Sequence, residues 1–115
     1  MIIKPSYGEI WLVALDPTIG REQAKTRPCL VVSDDRLNNS SAGLAFIVPI
    51  TSQNKKIPWH IEITSPEGGL KKTSYIMCEH MKSLSHLRFR GNRLGIVQEN
   101  TMAAIKARLR LLCDL

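Results

Sequence analysis

Three polar residues stand where an apolar run begins or ends. Arg27 precedes Pro28 and Cys29-Leu30-Val31-Val32, Thr51 follows Phe46-Ile47-Val48-Pro49-Ile50, and Glu79 follows Tyr75-Ile76-Met77-Cys78. A side chain at such a junction is held by a strand yet reachable from a loop. Arg27 offers a permanent charge and a planar fork of donors that matches two phosphate oxygens. Thr51 and Ser52 carry hydroxyls that can donate to a phosphate oxygen. Glu79, at a strand end where its proton affinity would be raised, has the chemistry of a general base. Each group also has a plainer reading. An exposed arginine can bridge a carboxylate, a Thr-Ser pair often caps a turn, and a lone glutamate can be structural. For Thr51 and Ser52 the residue types by themselves favour the turn.

Around these junctions lie residues suited to a polyanion. Arg21, Lys25, Lys55, Lys56 and Lys82 can line a phosphate track. Of the aromatic side chains, Phe46 and Tyr75 fall inside strand-like runs and are expected in the core, which leaves Trp59 for stacking on a base. His60, at the start of a strand, could simply be exposed, and His80, which adjoins Glu79, could contact RNA. No histidine pair has metal-ligand spacing and no carboxylate cluster accompanies them, so no metal site is expected.

The elements that must position these groups are mostly strands. Glu9–Leu15, Pro28–Ser33, Leu44–Ile50, His60–Ile63, Tyr75–Glu79 and Arg93–Val97 are β-rich runs bounded by turn residues such as Asp16-Pro17 and Gly68-Gly69. Residues 18–26 read as an exposed loop, 34–43 as a loop or short helical turn, and 83–91 as an irregular bridge. Met102, Ile105, Leu109 and Leu112 recur at helical spacing after Asn100 or Thr101 as N-cap, so an amphipathic helix should close the chain. Lys106, Arg108 and Arg110 would lie on its solvated face. Successive strands without intervening helices predict a mainly β fold with α: an antiparallel barrel or twisted sheet carrying one C-terminal helix.

With 115 residues the expectation is one domain spanning 1–115, and 43% hydrophobic residues suffice for a core. The formal net charge of +6 favours a nucleic-acid partner without showing one, since basic surfaces also serve solubility. Cys29, Cys78 and Cys113 are odd in number and widely spaced, as reduced thiols packed like small hydrophobes would be. Neither a secretory leader nor a run of ~20 apolar residues is present, so a cytoplasmic protein without membrane contact is expected.

The ordered blocks Gly8-Glu9-Ile10-Trp11, Asp16-Pro17, Gly20-Arg21-Glu22-Gln23, Arg27-Pro28, Pro49-Ile50-Thr51-Ser52 and Glu79-His80-Met81-Lys82-Ser83 span nearly the whole chain. Together they resemble the MazF/PemK family of toxins from type II toxin–antitoxin systems. The resemblance implies an SH3-like or CcdB-like small barrel. It also implies a sequence-selective endoribonuclease that needs no metal or other cofactor and cuts single-stranded RNA, messenger RNA among it. The 2′-hydroxyl would attack the adjacent phosphate, leaving 2′,3′-cyclic phosphate and 5′-hydroxyl ends. Arg27, Thr51 and Glu79 would carry catalysis. Arg21, Glu22, Gln23, Lys25, Ser52, Gln53, Lys55, Lys56, Trp59, His60, His80 and Lys82 would contact RNA, with 16–26 as a lid. A homodimer and a cognate antitoxin with an acidic, flexible tail are the implied partners. The sequence departs from the family pattern at Met77, where some members have a second catalytic arginine, and at Lys82, where many have arginine. Two alternatives share the fold: a gyrase-binding toxin resembling CcdB, and a non-catalytic RNA-binding module.

Overall fold

The computed structural model describes residues 4–15 and 26–115. The predicted 18–26 loop, and with it Arg21, Glu22, Gln23 and Lys25, lies outside the described residues except for Thr26. Seven strands form one sheet: β1 (Glu9–Ala14), β2 (Thr26–Val31), β3 (Leu44–Thr51), β4 (His60–Ile63), β5 (Ser74–Met77), β6 (Lys82–Ser85) and β7 (Phe89–Ile96). Their order is β4-β5-β3-β2-β1-β7, and β6 pairs with β3 beyond the end of β5. All recorded pairings are antiparallel. A short α1 (Asp35–Asn38) follows β2, and the helix α2 (Glu99–Cys113) ends the chain.

The central strands are apolar at nearly every position because both faces of the sheet are covered. Ile10, Leu30, Val48 and Ile50 point to one side, where they meet Ile63, Ile76, Met102 and Ile105 beneath α2. The alternate residues Trp11, Val13, Cys29, Val31, Ala45 and Ile47 meet Leu84 and Phe89 on the other side. A strand buried on two faces loses the simple polar–apolar alternation of a half-exposed one. The Gly8-Glu9-Ile10-Trp11 block is a structural clasp on this frame. Glu9, 6% exposed, accepts hydrogen bonds from the Ser6 amide (2.7 Å), Trp11 Nε1 (3.0 Å) and Arg93 Nη1 (2.8 Å), which ties β1 to β7.

Several expectations are corrected. Residues 83–91 are mostly β6 and the start of β7, divided by one 3-10 turn at His86–Arg88. The interspersed arginines hid them, because exposed residues of a peripheral strand need not be apolar. Strand β5 stops at Met77, and Glu79 sits in a 3-10 turn, Cys78–His80. Helix α2 starts at Glu99 with Gln98 as its cap, earlier than Asn100 or Thr101. Glu67 takes the capping part instead, accepting from the Gln98 amide (3.0 Å) and the Thr101 hydroxyl (2.6 Å). Phe46 is 41% exposed rather than in the core, since Ala45 and Ile47 occupy the inward positions on either side of it. Cys29 and Cys78 are buried as expected, but Cys113 is exposed on the last turn of α2.

Candidate RNA-processing site

Strand β2 runs antiparallel to β3 with Cys29 opposite Pro49 and Leu30 opposite Val48. Carrying that register two residues further points Arg27 at Thr51, and the two residues do line one cleft. The cleft is about 600 Å³, within the usual ~300–1,000 Å³ range of ligand sites. Its apolar lining comes from Leu12, Ile50, Leu70 and Leu94, and its polar lining includes Ser52, Gln53 and Ser74. Arg27 is half-buried. Thr51 is 6% exposed, so only its edge is presented. The Gln53 amide donates to Thr51 Oγ1 at 3.2 Å, which leaves the threonine O–H free to donate elsewhere. Both plainer readings of these residues thus meet the structure differently. Thr51 does organise a turn, and that same contact frees its proton.

The cations on the cleft are Arg27, Lys55, Lys71 and Lys72, and no carboxylate is among its described lining residues. Such a surface concentrates positive potential on a phosphodiester. Lys71 and Lys72 were missed as site residues because they read only as a polar approach to β5. The glycine pair before them was the available signal. Gly68 and Gly69 have φ of +68° and +78°, and a Cβ on Gly69 would lie 2.0 Å from the Leu94 carbonyl oxygen. Only glycine lets this turn press against β7, and the turn is followed by three residues that line the cleft, Leu70, Lys71 and Lys72.

Glu79 has other partners. It does not line the cleft; its Oε2 accepts from His60 Nε2 at 2.7 Å and lies 3.7 Å from His80 Nε2. Partial burial pushes the Glu79 pKa up, but hydrogen bonds from its own backbone and from His60 outweigh that, and the net shift is downward. The raised proton affinity expected of it is therefore corrected. His60 is corrected too: its side chain is 4% exposed, facing Glu79, with Nδ1 buried and without a hydrogen-bond partner. His80, by contrast, keeps 56% of its side-chain surface exposed.

Of the other expected contact residues, Ser52, Gln53, Lys55, Lys56 and Lys82 are exposed, and Trp59 is 37% exposed. Ser52, Gln53 and Lys55 join the cleft, whereas Lys56, Trp59, His60, His80 and Lys82 do not line it. Met77 is 6% exposed in the core, where an arginine would need a buried partner. Burial drives the Cys29 thiol up to about 12 against the pull of Lys82 and Arg27, so it is no nucleophile at neutral pH. Among the described residues, no group of three or more His, Cys, Asp and Glu side chains is gathered as a metal ion would require.

Residues 6–113 match the model of a family described as PemK-like, MazF-like toxin of type II toxin–antitoxin system. The chain is 36% identical over 103 residues to the endoribonuclease PemK of Escherichia coli, covering 89% of this chain and 77% of that one. It resembles a crystal structure of MazF from Deinococcus radiodurans with a TM-score of 0.82 at 25% identity, over 98% of this chain and 99% of that one. The fold also matches a crystal structure of MazE-MazF from Deinococcus radiodurans, with a TM-score of 0.79 at 21% identity over 98% of each chain. The chain belongs to the PemK-like, MazF-like toxin family of type II toxin–antitoxin systems.

Proposed function

We propose that this protein is a sequence-selective endoribonuclease that cuts single-stranded RNA without a metal ion. One observation carries the reading: Arg27 and Thr51, from two different strands, converge on a cationic cleft with no described carboxylate in its lining. In the reaction the ribose 2′-oxygen bonds to the adjacent phosphorus as the bond to the 5′-oxygen breaks. The proton leaves the 2′-hydroxyl for a base, and the departing 5′-oxygen takes one up, so no water is consumed. Negative charge grows on the non-bridging oxygens, and the guanidinium of Arg27 and the free O–H of Thr51 are the donors that hold it. Because both donors stand on strands, little reorganisation is needed as that charge develops.

Glu79 serves this reading as an ionised, His60-bound anchor beside the exposed His80, a contact surface for RNA outside the chemical step. Selectivity for single strands would come from bases splayed against Trp59 and from the requirement for a 2′-hydroxyl. A homodimer and a cognate antitoxin belong to the same proposal. Membership of a type II toxin–antitoxin family and the likeness in fold to an endoribonuclease in complex with its cognate antitoxin support the antitoxin, and an acidic flexible segment would compete with RNA for the cleft's cations.

The test is incubation of pure protein with single-stranded RNA in excess EDTA, followed by analysis of the termini. Cleavage with 2′,3′-cyclic phosphate and 5′-hydroxyl ends, lost in Arg27→Ala, is the expected result. Intact RNA would reject the ribonuclease and favour a binding toxin or a non-catalytic RNA-binding module.

A further inference from the structure

We infer that Lys71 and Lys72, facing the same cleft as Lys55, form a second phosphate subsite that grips the RNA strand beside the scissile phosphate. The inference rests on the ribonuclease reading of the Arg27–Thr51 cleft and names part of what that cleft binds.

The two lysines project from a backbone that is fixed on both sides. Before them, the Gly68-Gly69 turn lies against Leu94 and Gly95, where a Cβ on Gly95 would come within 2.4 Å of the Gly68 carbonyl carbon. Leu70 is then buried at 6% exposure, and its carbonyl oxygen accepts from the Ser65 hydroxyl at 2.8 Å. After them, the Lys72 carbonyl oxygen accepts from the buried Ser74 hydroxyl at 2.9 Å, just as β5 begins. The loop is thus tied down at Leu70 and at Lys72, while both lysine side chains stay exposed. A cation on a pinned backbone loses less entropy on binding than one on a free loop.

The chemistry of the ligand follows from the lining. Lys71, Lys72 and Lys55 come from two different connections, β4–β5 and β3–β4, and neither a described carboxylate nor a described ion pair neutralises them. Leu12, Ile50, Leu70 and Leu94 line the same cleft. A cleft lined by both cations and apolar side chains suits a nucleotide, whose phosphate is anionic and whose base is flat and largely apolar. Arg27 and Thr51 suffice for the reacting phosphate, so the remaining cations are free for a neighbouring one. Lysine fits that duty, because a flanking phosphate needs charge without bidentate geometry.

The experiment uses the full chain and its Lys71→Gln/Lys72→Gln variant. Binding is measured to a short single-stranded oligonucleotide whose scissile ribose is 2′-deoxy, across a salt series. Lys106→Gln/Arg110→Gln on α2 removes the same charge away from the cleft and is the control. The expected result is a Kd raised about tenfold at low salt and a salt slope shallower by roughly 1.4, two contacts at about 0.7 each. The control should match the parent. On the all-RNA substrate the loss should fall on KM rather than kcat, and it should vanish on a dinucleotide that has only the scissile phosphate. An unchanged Kd and slope in the Lys71/Lys72 variant would overturn the subsite, as would an equal change in the α2 control. The ribonuclease reading fails separately, if the parent leaves the all-RNA substrate intact.

Discussion

The cleft of Arg27 and Thr51 and the cluster of His60, Glu79 and His80 both offer groups for phosphodiester chemistry, and their electrostatics are opposite. In the cleft the cations have no described carboxylate beside them, and Thr51 keeps a free proton. In the cluster the carboxylate is already engaged, with His60 at 2.7 Å and a pKa held below its ordinary value. A permanent cation on a strand is ready for an incoming phosphate without giving up a partner. A carboxylate that accepts from a buried imidazole is stabilised in its ionised form, which makes it a weaker proton acceptor. On the ribonuclease reading, charge stabilisation falls to the first region and a fixed, ionised contact surface to the second.

The largest expected effect tests the first half of this division. Arg27→Ala should lower kcat by about 10²–10³, the usual loss for one donor to a developing oxyanion, with thermal stability near that of the parent. Arg27→Lys should recover only part of the activity, since a point charge replaces the fork. Thr51→Val keeps the shape and removes the hydroxyl. A hydrogen bond to a charged group is worth about 1.5–3 kcal/mol, so kcat should fall roughly ten- to a hundredfold, and Thr51→Ser should restore most of it. Cleavage of a single-stranded reporter RNA measures each. Equal activity in Thr51→Val and parent would remove Thr51 from the chemistry and leave Arg27 alone there.

What the sequence disclosed of these two regions follows from how locally each is encoded. Arg27 was legible as a permanent cation where a loop enters a strand, whereas Thr51, whose residue type alone favours a turn, was singled out by the family resemblance; strand ends in one sheet then converge by register. Their neighbours Lys71 and Lys72 were not legible, since their place depends on a glycine turn pressed against β7, more than twenty residues away in the chain. Glu79 was found but given the wrong proton affinity. Against the rise from burial, its pKa is lowered by its own backbone and by His60, which a strand pairing brings to it from nineteen residues earlier, with His60 opposite Met77. Strand β6 was hidden for a related reason: Lys82 and Ser83 are exposed and only Leu84 enters the core, so the pattern that marks a doubly covered strand is absent.

A smaller effect is expected at the aromatic edge of the second region. Trp59 is partly exposed next to His60 in the chain. Base stacking is worth about 1–3 kcal/mol per base, so Trp59→Ala should weaken RNA binding by roughly tenfold with little change in kcat. Tryptophan fluorescence quenched by RNA in the parent, with the quench reduced in Trp59→Ala, would report the contact directly. An unaltered Kd would confine RNA recognition to the cleft.

The smallest effect on activity, and the sharpest test of the division, is at Glu79. Its folded-state pKa lies below the ordinary 4.5. The unfolded chain therefore takes up the proton first as pH falls, and the stability that the ionised carboxylate contributes is complete above about 4.5 and lost as pH drops through the folded value. Glu79→Gln carries no such charge, so its urea midpoint should decline less steeply than the parent's below pH 4.5. At neutral pH the variant should be modestly less stable, because His60 Nε2 exchanges an ionised partner for a neutral amide. Cleavage should change by only a few-fold, as the cleft keeps Arg27 and Thr51. If Glu79→Gln instead lost activity as fully as Arg27→Ala while remaining folded, the carboxylate would be a proton-transfer group. The two regions would then have to act on one phosphate.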